Sequence, residues 1–258
     1  MSWVASDDEI GYAAGMMTLR LPETLDDCTP DLAPGRRTRR SQAERREASM
    51  TQILDSAEAA FAELGYGGVS LNEVAKRSGI PAQLMRYYFG DKAGLFSEVI
   101  ERRASVVNAI RMNVFDTYEA EMGDAMTLEG VIQAFVQTGF EMMSRDAGWK
   151  NYCTIIAHIN NSPQLRQFMS EAFNVISLRM IALMRRVLPH ALEKDIYWSF
   201  QFLTGAYTYS LADTRRIDEL SNGLVSSGDS QELSARFAKG MAAAVEAVCG
   251  PGKGSSSR

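Results

Sequence analysis

Residues 70–92, SLNEVAKRSGIPAQLMRYYFGDK, constrain this chain more than any other stretch, because they permit two short helices, a tight turn and little else. Ser70 with Glu73 three residues on is a capping box, in which each side chain answers a backbone N–H left without a partner at a helix start. A helix therefore begins at Leu71. Ser78-Gly79 ends it, since glycine takes the left-handed backbone conformation that a Cβ resists. Pro81 suits the first turn of a second helix, Ala82 to Phe89, where its missing N–H removes no intrahelical bond. Small Ala75, Gly79 and apolar Met85 let the two helices cross closely around the turn, which is the geometry of a helix-turn-helix.

The flanks fit a nucleic-acid partner once charge is read locally. The net charge of −5 divides into −6 over residues 1–35 (one Arg, seven acids), +3 over 36–103 (12 basic, nine acidic) and −2 over the remainder. Phosphates sense the local potential within about 8 Å in physiological salt, so an acidic body does not exclude a basic reading head. Residues 1–35, with Pro22, Pro30 and Pro34 and no sustained period, read as a poorly ordered acidic extension. Arg36, Arg37, Arg39 and Arg40 follow, and their place just before the motif predicts an arm on phosphates or in the minor groove. A first helix starts after Ser41, with Glu44 as its capping partner, and ends near Leu64. Its row Ile53, Leu54, Ala57, Phe61 and Leu64 is a platform for the two reading helices.

The ordered set Gly65-Tyr66, Val69-Ser70, Val74-Ala75, Ser78-Gly79-Ile80, Met85, Tyr87-Tyr88-Phe89 and Lys92 resembles the DNA-binding segment of the tetracycline-repressor (TetR) family of transcriptional regulators, over about residues 42–100. The resemblance implies an all-α fold: a three-helix, helix-turn-helix DNA-binding domain over 36–92, a helical ligand-binding and dimerisation domain over 93–249, and a short tail over 250–258. On the second reading helix, Ala82, Gln83, Arg86 and Tyr87 share a face opposite Met85 and Tyr88. Gln83 is expected to read a base edge, Arg86 a guanine or phosphate, and Tyr87, Lys92 and the backbone near Ser70 the phosphates. Gln83 and Arg86 depart from the family's usual residues, so no operator sequence carries over.

The body reads as helices throughout, from Lys92 to about Tyr118, then from Thr127, over 147–161, from Ser162-Pro163 to Leu188, over 192–220 and over 231–248. Its Met and aromatic residues predict a cavity for a largely apolar effector, fatty acyl or lipid-like, because few charges cluster there. The candidate lining is Phe115, Phe135, Phe140, Trp149, Tyr152, Phe173, Met180 and Phe202. The last two helices are expected to pair in a homodimer through Trp198, Phe237, Met241 and Ala243, as the resemblance implies. Residues 198–213 are similar to a lipid-responsive subgroup of the family.

Other classes find little support. No apolar run reaches the roughly 18 residues of a membrane span, and acids stand where a secretory signal carries positive charge, so a cytoplasmic protein is expected. Cys28, Cys153 and Cys249 are far apart, and with only His158 and His190 the sequence suggests neither disulfides nor a metal or other cofactor. G-x-S-x-G and H-E-x-x-H are missing, which argues against an enzyme. A helical carrier of apolar molecules, using the helix-turn-helix only for packing, is the competing reading.

Overall fold

A computed structural model of the protein describes residues 41–250. Helix α1, Gln42–Gly68, opens on a complete capping box: Ser41 Oγ accepts from the Glu44 N–H at 3.1 Å and Glu44 Oε2 accepts from the Ser41 N–H at 2.7 Å. Gly65, with φ +67°, interrupts the helix where the sequence places its end. Helices α2, Leu71–Ser78, and α3, Ala82–Phe89, follow, separated by Gly79 in the left-handed region at φ +68°. Two expectations need correction here. Only half of the box at Ser70 forms, because Glu73 turns away to pair with Arg77 at 2.8 Å. Pro81 stands at the cap position of α3 and not inside its first turn.

Helix α4, Lys92–Met122, is capped by Asp91 and is the longest described element. Then come α5, Leu128–Met143, capped by Thr127, and α6, Ala147–Asn160, capped by Asp146. Ser162 stands at the cap position of a 3-10 turn, Pro163–Leu165, with Pro163 in its first turn, but its hydroxyl donates to the His158 carbonyl and makes no cap bond; the turn leads into α7, Arg166–Val187. The helix expected over 192–220 is two. Helix α8, Glu193–Leu211, stops before Asp213 and Arg215, both at positive φ, and α9, Arg216–Leu220, is a separate turn and a half. Helix α10, Ser230–Cys249, closes the described chain.

All described elements are helical and belong to one compact unit. Helix α10 packs along α5, and α4 lies against α5 and α7, while α1 touches α2, α4 and α6. Two aromatic clusters organise the interior. Phe61 and Tyr66 of α1 meet Phe96 of α4 at ring distances of 4.7 and 4.8 Å, with Phe168 of α7 on Phe96 at 5.0 Å. Farther along, Phe135 and Phe140 of α5 pack on Tyr207 of α8 at 5.7 and 5.2 Å. Each such pair adds about 0.5–1.5 kcal/mol beyond the area it buries. No helix among the described residues is long and apolar enough to cross a membrane.

The join between α1 and α4 is also ionic. Glu58 is buried and accepts from Arg102 at 2.8 Å and from Arg103 at 2.6 and 2.9 Å. The Arg103 guanidinium lies over the Trp149 ring of α6 at 4.6 Å.

Candidate functional site

Val74, Met85 and Phe89 are buried where α2 packs on α1 and α3 packs on α2 and α4, so the opposite face of α3 is left outside. Gln83, Arg86 and Tyr87 are exposed on it, Tyr87 at 79%, and Ala82 is half-buried beside them. The turn is stiffened from within: buried Ser78 Oγ accepts from the Ile80 N–H, and the Gln52 amide donates to the Ser78 carbonyl at 2.7 Å. Ser70 is exposed at the mouth of α2. Lys92 is not a free ammonium. Its Nζ donates to the Tyr66 carbonyl at 3.1 Å and sits 4.4 Å above that ring, so it fastens the start of α4 to the end of α1. Arg36, Arg37, Arg39 and Arg40 lie outside the described residues.

In the body a cavity of about 210 Å³ opens between α4, α5, α6, α7 and α8. Of the residues expected to line it, the cavity brings together Phe135, Tyr152 and Phe173. Phe115, Phe140 and Met180 are buried in the surrounding core, and Trp149 sits under Arg103 at the junction with α1. Phe202 is placed on the outside, 53% exposed, because on α8 it shares a row with Trp198 while Phe200, Leu203 and Tyr207 turn inward.

The sequence reading passed over Arg111, which lines this cavity and is 4% exposed. Its Nε donates to the Phe135 carbonyl at 3.0 Å, one Nη2 hydrogen goes to the Tyr207 hydroxyl, and its guanidinium lies 5.0 Å from the Phe135 ring centre. The signal was available: Val107, Arg111 and Phe115 follow one another at spacings of four, which puts a cation in an apolar row. Burial pushes the Tyr207 phenol up to about 12 against the pull of Arg111, and pushes the Cys153 thiol up to about 12. Burial raises Tyr152 as well, and its hydroxyl has no hydrogen-bond partner. No group of three His, Cys, Asp or Glu side chains among the described residues is arranged to hold a metal ion.

A third surface lies on α8 and α10. Trp198 and Phe202 stack at 5.9 Å and remain 58% and 53% exposed, with Ala243 exposed on α10. Gly205 and Gly240 face open space. Met241 is half-buried. Phe237 is half-buried too, with its ring 5.6 Å from that of Phe140.

Residues 53–99 match the family model of bacterial regulatory proteins of the tetR family, and residues 133–244 match the tetracyclin repressor-like C-terminal domain. The chain belongs to the TetR family. A curated relative, the HTH-type transcriptional regulator AcrR of Shigella flexneri, is 31% identical over 94 residues, which is 36% of this chain and 40% of that protein. Among solved structures, a transcriptional regulator from Pseudomonas aeruginosa superposes with TM-score 0.54 at 11% identity, covering 82% of this chain and 97% of the other. The transcriptional regulator FadR from Bacillus subtilis, in complex with stearoyl-CoA, superposes with TM-score 0.52 at 14% identity, covering 74% of this chain and 97% of the other. At such identities these two show a shared fold alone. TetR proteins are regulators and not enzymes.

Proposed function

We propose that the protein is a cytoplasmic, homodimeric TetR-family repressor that binds operator DNA through α2 and α3 as a helix-turn-helix and leaves it when an apolar effector occupies the body cavity. The observation that carries this reading is α4: its first residue is bolted to the reading head through Tyr66, and its middle forms the cavity wall. Helix α3 is the reading helix, with Gln83 on a base edge, Arg86 on a guanine or phosphate, and Tyr87, Ala82 and the Ser70 backbone along the strand. Arg36 to Arg40 extend the phosphate grip. Two heads are presented together because the Trp198 and Phe202 face of α8 and the small-residue face of α10 around Ala243 meet their copies. Exposed apolar patches of this kind mark association sites. The B. subtilis FadR was solved with stearoyl-CoA, which favours an effector with an acyl chain here too.

The test is to select binding sites from randomised duplex DNA with purified full-length protein, then measure affinity by fluorescence anisotropy with and without acyl ligands. A two-fold symmetric site bound at least about 10³-fold more tightly than random DNA is expected. Effector should weaken that binding by about 5- to 150-fold, and DNA should weaken effector binding by the same factor. If no sequence is enriched, the regulatory reading fails.

A further inference from the structure

Arg111 is a buried cation that makes no ion pair among the described residues. Among the described residues its two hydrogen bonds, to a carbonyl and to a phenol, use two of its five N–H donors, and neither comes from Nη1. The residues around the cavity include no Asp or Glu and no second basic side chain. Nor does a neighbour supply charge by ionising, since burial keeps the Tyr207 phenol and the Cys153 thiol neutral at pH 7. Across the same cavity the Tyr152 hydroxyl, 4% exposed, is unpartnered. Buried polar groups are as a rule hydrogen-bonded and buried charges paired.

The arrangement is built and held. Glycine at 139 makes room for it, because a Cβ there would collide with the Tyr207 hydroxyl and press on Arg111 Nη2 at 3.1 Å. Phe135 and Tyr207 offer ring faces at 5.0 and 5.5 Å, a partial substitute for water around the guanidinium that leaves its forked edge free. Around this polar pair the walls are apolar, with Phe173, Ile176 and Phe200 among them, and exposed Asn174 and Gln201 stand at the rim.

We propose that the cavity takes a carboxylic acid on an apolar chain, its carboxylate held by the Arg111 guanidinium and the Tyr152 hydroxyl and its chain lying on the Phe173 and Phe200 side. This names the chemical class of the effector and rests on the ligand-responsive reading above for its regulatory meaning. The geometry separates acids from neutral lipids of the same length. An ester or alcohol fills the same apolar space but leaves Arg111 uncompensated, and a site with an unmatched buried polar group rejects a ligand that lacks the partner. The volume of about 210 Å³ lies below the 300 Å³ or so of common small-molecule sites, so medium chains fit first and longer ones must displace side chains such as Met142 and Met169 at the wall.

The experiment titrates full-length protein by calorimetry with decanoate, methyl decanoate and decan-1-ol, in the wild type, Arg111→Gln and Tyr152→Phe, and repeats the DNA anisotropy with each ligand. Decanoate should bind wild type about 10- to 100-fold more tightly than either neutral probe, the range of a charge-assisted hydrogen bond. In Arg111→Gln that ratio should collapse to about threefold or less while the neutral probes bind as before. Tyr152→Phe removes one hydroxyl without changing packing, and should lower decanoate affinity about threefold or more and leave the neutral probes alone. It serves as the decisive variant if Arg111→Gln does not fold, since wild type and Tyr152→Phe supply the acid-to-neutral ratio by themselves. Equal wild-type affinity for acid and ester, or no binding by any probe, overturns the proposal. If neutral probes then release operator DNA, ligand regulation stands without it. Preference for decanoate with unchanged operator affinity supports the carboxylate site and removes the effector reading instead.

Discussion

Glu58→Ala removes the carboxylate that Arg103 depends on and one of two that Arg102 uses, with Asp55 the other at 2.7 Å. Breaking a buried pair by deleting one partner costs about 3–5 kcal/mol, because the surviving charge stays in a poorly solvated place. Glu58 is 2% exposed, but the Arg102 and Arg103 side chains are 26% and 17% exposed, so water partly rescues them. Arg102 retains Asp55 and Arg103 retains the Trp149 face. These offsets bring the expected loss to about 2–4 kcal/mol. Asp55→Ala, which removes an exposed carboxylate, should cost under about 1 kcal/mol. Replacing the pair together, Glu58→Met with Arg103→Met, should recover much of the loss, since a hydrophobic pair needs no compensation. Urea unfolding at one fixed protein concentration reads all three variants against wild type, fixed because association shifts apparent stability. A Glu58→Ala midpoint within error of wild type, or a loss no larger than that of Asp55→Ala, would refute the claim that burial makes this pair matter.

Three further outcomes are expected. Gln83→Ala should cost about 1–3 kcal/mol on the selected operator and leave random DNA nearly unaffected, whereas Lys92→Ala should weaken both, because it frees the start of α4 from Tyr66; anisotropy at two salt concentrations separates them. Trp198→Glu or Ala243→Asp should shift sedimentation from dimer to monomer at micromolar protein, and an unchanged dimer removes α8 and α10 as the interface. Burial would raise the Asp213 carboxyl, yet hydrogen bonds from Lys150 at 2.8 Å and from Ser227 outweigh it and hold the group below the usual range. A depressed folded value contributes stability above the unfolded value of about 4, which is lost as pH falls through the folded one, so Asp213→Asn should narrow the gap between urea midpoints at pH 6 and pH 3.

The helices and their starts were legible because the signals are local. Ser41, Thr127 and the Gly65 and Gly79 breaks act within four residues of themselves, and the apolar rows of α1 and α4 repeat on a helical period. What escaped depends on a partner distant in sequence. Glu73 abandons its box for Arg77, which Glu63 of α1 also holds at 2.7 Å. The end of α8 rests on Asp213, fixed by Lys150 of α6, and no glycine marks the spot. The rotation of α8 that turns Phe200 and Tyr207 inward and Phe202 outward is set by α5 and α7, so aromatic content alone did not sort lining from surface. Arg111 was hidden by habit: a charged residue in an apolar row reads as a solvated interruption until its neighbours are known.

The placement of Arg111 bears on how occupancy of the cavity reaches the head. From Lys92 to Arg111 is 19 residues of continuous helix, about 28 Å at 1.5 Å per residue. Along that length α4 is tied to α1 three times: by Lys92 on Tyr66, by the Phe61, Tyr66 and Phe96 rings, and by Glu58 with Arg102 and Arg103. Helices α1 and α4 therefore move together, and α2 and α3 go with them. Beside this body lies α6, where Arg103 meets Trp149 through a ring face with no hydrogen bond to break. A packed interface of that kind slides by small steps. On the regulatory reading, a carboxylate that draws the Arg111 guanidinium pulls on a helix whose other end is fastened to the head. The ligand has only to favour the shifted position over the DNA-bound one by the coupling energy, about 1–3 kcal/mol. On the same reading, a neutral ligand of equal bulk should be the weaker signal: it would occupy the space beside α4 with no hold on it.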